Sequence, residues 1–175
     1  MLAQRIKEAI AEVQDFPKPG ISFKDITPIL LNPSLTRDVV KAFAQHAKNQ
    51  RADYIAGIDA RGFLFGLAVA QELGIAFVPL RKKGKLPRPT FSENYQLEYG
   101  EASLSLHKND ISPNAKVLIH DDLLATGGTA LAAKKLIEKA GALVCGFQFL
   151  VELDFLNGRK DLEPKKIYSL VHYQD

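Results

Sequence analysis

The stretch Val117–Thr129, VLIHDDLLATGGT, narrows the fold more than any other part of the chain. Val117–His120 is a short run dominated by apolar residues and reads as a buried strand. Two adjacent carboxylates, Asp121 and Asp122, arrive where that strand ends. Thr126-Gly127-Gly128-Thr129 then leads into a helical pattern over Thr129–Ala140, closed by Gly141. A further apolar run, Leu143–Val151, completes a β-α-β unit. The same order occurs earlier: Tyr54–Ile58 reads as a strand, Phe63–Leu73 as a helix stopped by Gly74, and Ile75–Leu80 as another strand. Two such units imply an α/β architecture, a parallel-rich central sheet flanked by helices, with ligands at the carboxyl ends of the strands.

The remaining segments are fitted around that framework. Leu2–Phe16 places Leu2, Ile6, Ala9, Ile10 and Val13 at helical spacing and predicts an amphipathic opening helix, broken by Pro17, Pro19 and Gly20. Ile21–Leu31 reads as irregular, and Asn32-Pro33 can cap and begin a helix that runs to about Lys48. Arg81–Asn114 is too long for an ordinary connection. Its alternating stretch Tyr95–Leu106, interrupted at Gly100, predicts a hairpin on a long, flexible excursion. Lys166–Tyr173 predicts a final strand. No repeat or linker divides the 175 residues, so one domain over 1–175 is expected.

Composition removes several function classes. Hydrophobic residues at 46% and charged residues at 25% exclude a disordered chain. The pI near 8.9 rests on a surplus of only three positive charges, too small to indicate nucleic acid by itself. The apolar stretches Phe63–Ala70 and Ala142–Val151 fall short of the ~18 residues a membrane helix needs. Arg5, Lys7, Glu8, Glu12 and Asp15 interrupt the first fifteen residues and argue against a secretory signal, so a cytoplasmic protein with no membrane or nucleic-acid partner is expected. The single cysteine, Cys145, lies inside an apolar run and reads as a packed core thiol.

The chemistry begins at the glycine pair. A phosphate monoester needs several convergent N–H donors, and glycines let backbone amides approach it at the positive end of a helix dipole. Ala125, Thr126, Gly127, Gly128 and Thr129 can supply such a cradle, the threonines adding hydroxyls. Asp121 and Asp122 are placed to accept hydrogen bonds from vicinal sugar hydroxyls or to touch a hydrated Mg²⁺. The pattern therefore points to a sugar phosphate. The plainer alternative is a tight turn before a helix with two solvated acids. Neither a Walker A pattern nor a G-x-G-x-x-G fingerprint occurs.

The combination of apolar strand, acid pair and Thr-Gly-Gly-Thr resembles the ribose-phosphate signature of the type I phosphoribosyltransferases. Over nearly the whole chain, PGISFKDITPIL, GIDARGFLFG, RKKGKLP, YQLEYGEASLSLH, DDLLATGGT and VELDFLNGR look like adenine phosphoribosyltransferases. Where 6-oxopurine enzymes commonly carry an Asp before the Thr-Gly of the phosphate loop, this sequence has Ala125. The resemblance implies a purine salvage enzyme that transfers phosphoribosyl from 5-phosphoribosyl 1-diphosphate to adenine, releasing AMP and diphosphate with Mg²⁺ as cofactor. It implies an N-terminal hood over the base within residues 1–32, a flexible loop and hairpin over residues 81–114, and a homodimer.

Residue roles follow from the same resemblance. Asp59, Ala60 and Arg61 would line the diphosphate side, with a strained peptide between Asp59 and Ala60, and Arg61 would also serve catalysis. Arg81, Lys82 and Lys85, in a basic run that Gly84 and Pro87 suggest is ordered, would neutralise the leaving diphosphate, Arg81 reaching across a dimer interface. Glu98, beside Tyr99 on the hairpin, matches the proposed acid/base residue. Ser22, Phe23 and Lys24 would form the adenine pocket, read by backbone groups near Ser22 and stacking on Phe23. Lys24 stands where Arg is commoner. His120 occupies a position usually apolar and, one residue before Asp121, should face the opposite side of its strand, satisfied against a helix. Two alternatives stay open: transfer to hypoxanthine, guanine or xanthine, and a non-catalytic ligand-sensing regulator on the same fold.

Overall fold

A seven-stranded sheet organises the computed structural model, which describes residues 1–97, 100–162 and 167–175. Its elements are α1 (Leu2–Ala9), β1 (Ala11–Val13), β2 (Phe23–Asp25), α2 (Thr27–Leu30), α3 (Pro33–Asn49), β3 (Tyr54–Ile58), α4 (Gly62–Leu73) and β4 (Ala76–Lys82). They continue with β5 (Thr90–Leu97), β6 (Gly100–His107), β7 (Lys116–Leu124), α5 (Gly128–Lys139), β8 (Leu143–Leu153) and β9 (Ile167–Tyr173). The strand order is β5-β6-β4-β3-β7-β8-β9. The five strands β4, β3, β7, β8 and β9 run parallel to one another, and β5 and β6 add an antiparallel hairpin at the β4 edge. This is the parallel-rich sheet that the two β-α-β units anticipate.

Alternation along β7 divides the core between the two faces. Val117 and Ile119 join the cluster that α5 covers with Ala133, Leu136 and Ile137, while Leu118 joins Phe43 of α3 and Phe65 of α4 on the other side. Local signals mark the start of α3 and the end of α4. The Asn32 side chain accepts from the Leu35 N–H at 3.1 Å with Pro33 in the first turn, and Gly74 closes α4 at φ 66°. No helix among the described residues is long and apolar enough to cross a membrane.

Three expectations are corrected. The opening helix stops at Ala9, because Ile10 turns extended and residues 11–13 pair antiparallel with residues 23–25; Val13 is consequently exposed. Ile21–Leu31 is therefore not irregular but contains β2 and α2. The strand read as Val117–His120 runs to Leu124, since Leu123 and Leu124 still pair with Val151 and Glu152 of the long β8, and the acid pair lies within it. Cys145 is half-buried on β8. The Phe16–Pro17 and Asp59–Ala60 peptides are cis.

Candidate active site

The turn after β3, the carboxyl end of β7 and Phe149 of β8 meet at one cavity. β7 delivers Asp121 and Asp122, and the chain then turns through Ala125–Gly127 into α5. Gly127 takes φ 87°, a left-handed conformation natural to glycine, and caps the helix. A cavity of about 200 Å³ is lined by Arg61, Asp121, Asp122, the loop from Ala125 to Thr129, and Phe149. The predicted phosphate cradle, acid pair and Arg61 thus share one space, lined by the first residues of α5.

Arg61 joins the parts of the site. It stands at the turn between β3 and α4, its Nε 2.8 Å from Asp122 Oδ2, while its guanidinium carbon lies 5.2 Å from the centroid of the Phe23 ring. That contact brings the N-terminal segment to the acid pair, a juxtaposition across roughly a hundred residues of sequence. Gly62 makes the approach possible: a Cβ there would stand 2.8 Å from the His120 carbonyl oxygen and 3.0 Å from Asp121 Oδ1.

The acids are neither solvated nor equivalent. Asp122 is 4% exposed. Burial holds Asp121 well above the ordinary carboxylate range, and the adjacent Asp122 carboxylate pushes in the same direction. Burial also raises Asp122, against the opposing pull of Arg61. The Asp122 backbone N–H donates to Asp121 Oδ1 at 2.9 Å. Both acids present hard oxygen donors, the ligand type that suits Mg²⁺, and with Arg61 already on Asp122 they fit a hydrated ion held through water better than direct coordination.

Asp59 is largely enclosed at the end of β3 and gathers the start of the basic run. Arg81 Nε donates to its Oδ2 at 3.1 Å, and the Lys82 N–H points to the same oxygen at 3.4 Å. Ala60, Lys82 and Lys85 are exposed and are not among the residues that line the cavity. The β5–β6 hairpin is drawn onto α5 by Glu93, which pairs with Lys135 at 3.4 Å and with Lys139. Glu98 and Tyr99 lie outside the described residues.

In the N-terminal segment the expected residues separate. Phe23 faces Arg61 and meets Phe16 edge-on at 5.2 Å. Lys24, on the other side of β2, is buried with Nζ 2.8 Å from Glu12 Oε1, 3.3 Å from Ser22 Oγ and 4.3 Å from the centroid of Tyr173. Its ammonium fastens the segment to β9 and is turned away from Phe23.

His120 faces away from Asp121 as expected, edge-on to Phe43 at 4.9 Å, but it is not satisfied: it is fully buried and neither ring nitrogen has a hydrogen-bond partner among the described residues. A contact not anticipated is the backing of the phosphate loop. A Cβ on Gly127 would collide with the Gly158 carbonyl oxygen, and one on Gly158 with the Ala125 carbonyl oxygen. Two backbones touch there, and the glycine of the LNGR turn is its one sequence trace.

Comparison with known proteins identifies the fold and the family. The model of the phosphoribosyl transferase domain matches residues 25–171. An adenine phosphoribosyltransferase of Francisella philomiragia is 53% identical over 170 residues, covering 96% of this chain and 97% of that one. The crystal structure of adenine phosphoribosyltransferase from Thermoanaerobacter pseudethanolicus superposes with a TM-score of 0.95 at 47% identity, covering 99% of this chain and 100% of the other. That of the Saccharomyces cerevisiae enzyme, complexed with an imino-altritol bisphosphate and adenine, gives 0.93 at 42% identity over 97% of this chain and 98% of the other. Likeness of this degree, spread over nearly the full length of both partners, leaves one conclusion: the chain belongs to the adenine phosphoribosyltransferase family.

Proposed function

We propose that this protein transfers phosphoribosyl from 5-phosphoribosyl 1-diphosphate to N9 of adenine, giving AMP and diphosphate in purine salvage. The observation that carries the reading is Arg61, which touches the acid pair on one side and the aromatic ring of Phe23 on the other. A base resting on Phe23 and a sugar resting on Asp121 and Asp122 would meet beside a fixed cation.

In the reaction the bond from the ribosyl C1′ to the diphosphate oxygen breaks and a bond from C1′ to N9 forms. Positive charge develops on C1′ and the ring oxygen as the diphosphate departs. The amides of Ala125–Thr129 hold the 5′-phosphate, and Asp121 and Asp122 accept hydrogen bonds from the sugar hydroxyls. Arg61, Arg81, Lys82 and Lys85 offset the growing charge of the diphosphate at the Asp59–Ala60 side of the site. Phe23 and the backbone near Ser22 align the ring, and Glu98 accepts the proton that N9 releases. Mg²⁺, held through water by Asp121 and Asp122, would supply further charge neutralisation for the diphosphate. Residues 1–175 act as one domain, with residues 1–32 as hood and the excursion over 81–114 excluding water when closed. A homodimer is supported by Leu64 and Leu67, which leave an exposed apolar strip on α4 beside the Asp59–Arg61 turn, and Arg81 would reach the partner's diphosphate. A cytoplasmic setting suits the substrates.

The test is turnover of adenine, hypoxanthine, guanine and xanthine in parallel with 5-phosphoribosyl 1-diphosphate and Mg²⁺. The exocyclic amine of adenine donates where a 6-oxopurine accepts. An unmade buried hydrogen bond costs about 1–3 kcal/mol, roughly one to two powers of ten. Adenine is expected to lead by that margin, and equal turnover of hypoxanthine would sink the assignment.

A further inference from the structure

We propose that Glu152, Gly158 and Arg159 form a clamp that sets the position of the phosphate loop, with Arg159 a positioning residue for the sugar phosphate; this rests on the phosphoribosyl-transfer reading. The loop has little of its own to hold it. Three residues separate the last paired residue of β7, Leu124, from the start of α5, and one of them is Gly127 in a left-handed conformation. What stops it from moving is the carbonyl of Gly158, which occupies the space a side chain on Gly127 would need, while the Ala125 carbonyl fills the space beside Gly158. The turn carrying Gly158 is itself fixed one residue later. Arg159 forks onto Glu152, Nε at 2.5 Å from Oε1 and Nη2 at 2.8 Å from Oε2. Glu152 is 2% exposed and also accepts from Ser169 Oγ at 2.5 Å. In register it sits opposite Leu124 on β7. One residue thus meets both sides of the loop: its backbone pairs with the strand end from which the loop departs, and its buried carboxylate holds the turn against which the loop rests.

A metal is the rival occupant, because ligand atoms of Glu152, Asp154 and His172 lie within 4.8 Å of one another. Arg159 already neutralises Glu152 through both oxygens, and a cation would have to displace it from a buried pair.

The experiment compares wild type with Arg159→Ala, Arg159→Lys and Gly158→Ala. Ribose 5-phosphate is titrated by calorimetry, and donor KM, adenine KM and kcat are measured beside thermal unfolding. A displaced loop loses a charge-assisted amide hydrogen bond to the phosphate, which weakens binding by about tenfold to a hundredfold. Ribose 5-phosphate affinity and donor KM should therefore worsen by that factor in Arg159→Ala and Gly158→Ala, and by less in Arg159→Lys, with adenine KM and kcat at saturating donor unchanged. Gly158→Ala disturbs the contact without touching the ion pair, so with Arg159→Lys it decides the matter if Arg159→Ala does not fold. Wild-type affinity for ribose 5-phosphate in both folded variants overturns the clamp. So does a fall in kcat and melting temperature with the donor KM unmoved, which marks a structural pair only. A wild-type protein that binds ribose 5-phosphate without any transfer to adenine would refute the proposed function, while the titrations still judge the clamp.

Discussion

Replacing His120 by Leu should make the protein more stable, and more so in acid than at neutral pH. The ring is fully buried between the helices and the sheet with both nitrogens unpartnered, and burial alone draws its pKa from 6.5 down to about 3. An unsatisfied buried polar group costs about 1–3 kcal/mol, part of which Leu recovers at any pH. The second contribution depends on protons. Because the folded pKa lies below the unfolded one, the unfolded chain takes up the proton first. The stability associated with the neutral ring is present above pH 6.5 and drains away as pH falls toward 3. From pH 6.5 to pH 5 the loss is about 1.4 kcal/mol per pH unit, or about 2 kcal/mol. Leu has no proton to gain, so the stability gap between variant and wild type should widen by about 2 kcal/mol between pH 7 and pH 5, about 4–8 °C in Tm for a chain of this size. Urea unfolding of both proteins at the two pH values measures the gap directly. A gap of equal size at both would show that the ring is not held neutral in the folded protein, and the argument would fail.

Gly128→Val should weaken the donor and AMP together, since its branched side chain projects where the phosphate and the Gln96 carbonyl, 3.4 Å from the position of a Cβ, meet the loop; unchanged affinity for both would remove the cradle. Asp121 holds its proton to a higher pH than an ordinary carboxylate, so donor KM should climb on the acid side sooner than a pKa near 3.8 would predict, and Asp121→Asn should flatten that limb of the profile. The same raised pKa favours the fold at low pH and loses that benefit as pH rises, so Asp121→Asn should also melt higher near neutrality. Glu98→Gln should lower kcat by about 10²–10⁴ with donor and adenine binding kept. Arg81→Ala should instead raise donor KM and spare adenine, and near-normal kcat in Glu98→Gln would reassign the proton to solvent or diphosphate.

Signals confined to a few adjacent residues translated well into structure. Asn32-Pro33 marked a helix start and Gly74 and Gly141 marked helix ends, because a capping side chain or a positive φ is decided within one turn of the chain. The glycine pair and the acids were likewise legible, since one strand and one helix place them. What escaped reading depends on distant partners. Residues 11–13 left the helical pattern to pair with residues 23–25, and β7 was extended by a neighbour that begins almost twenty residues after it ends. The Arg61 contact to Phe23, the seat of Gly158 under the phosphate loop and the unpartnered ring of His120 are products of packing, with no periodicity to announce them.

The fastening of the hood carries a consequence for selectivity. Lys7 and Lys24 both set their ammonium groups over the ring of Tyr173, at 5.2 and 4.3 Å, and Tyr173 ends β9, a marginal strand of the sheet with one paired side. Margins open at lower free energy than interiors, so their amides exchange earlier with solvent. The phosphate loop springs instead from β7, which is paired on both sides. On the proposed function, discrimination among bases and grip on the sugar phosphate belong to regions of unequal local stability, and as temperature rises the molecule should grow indiscriminate toward bases before it loses hold of its donor.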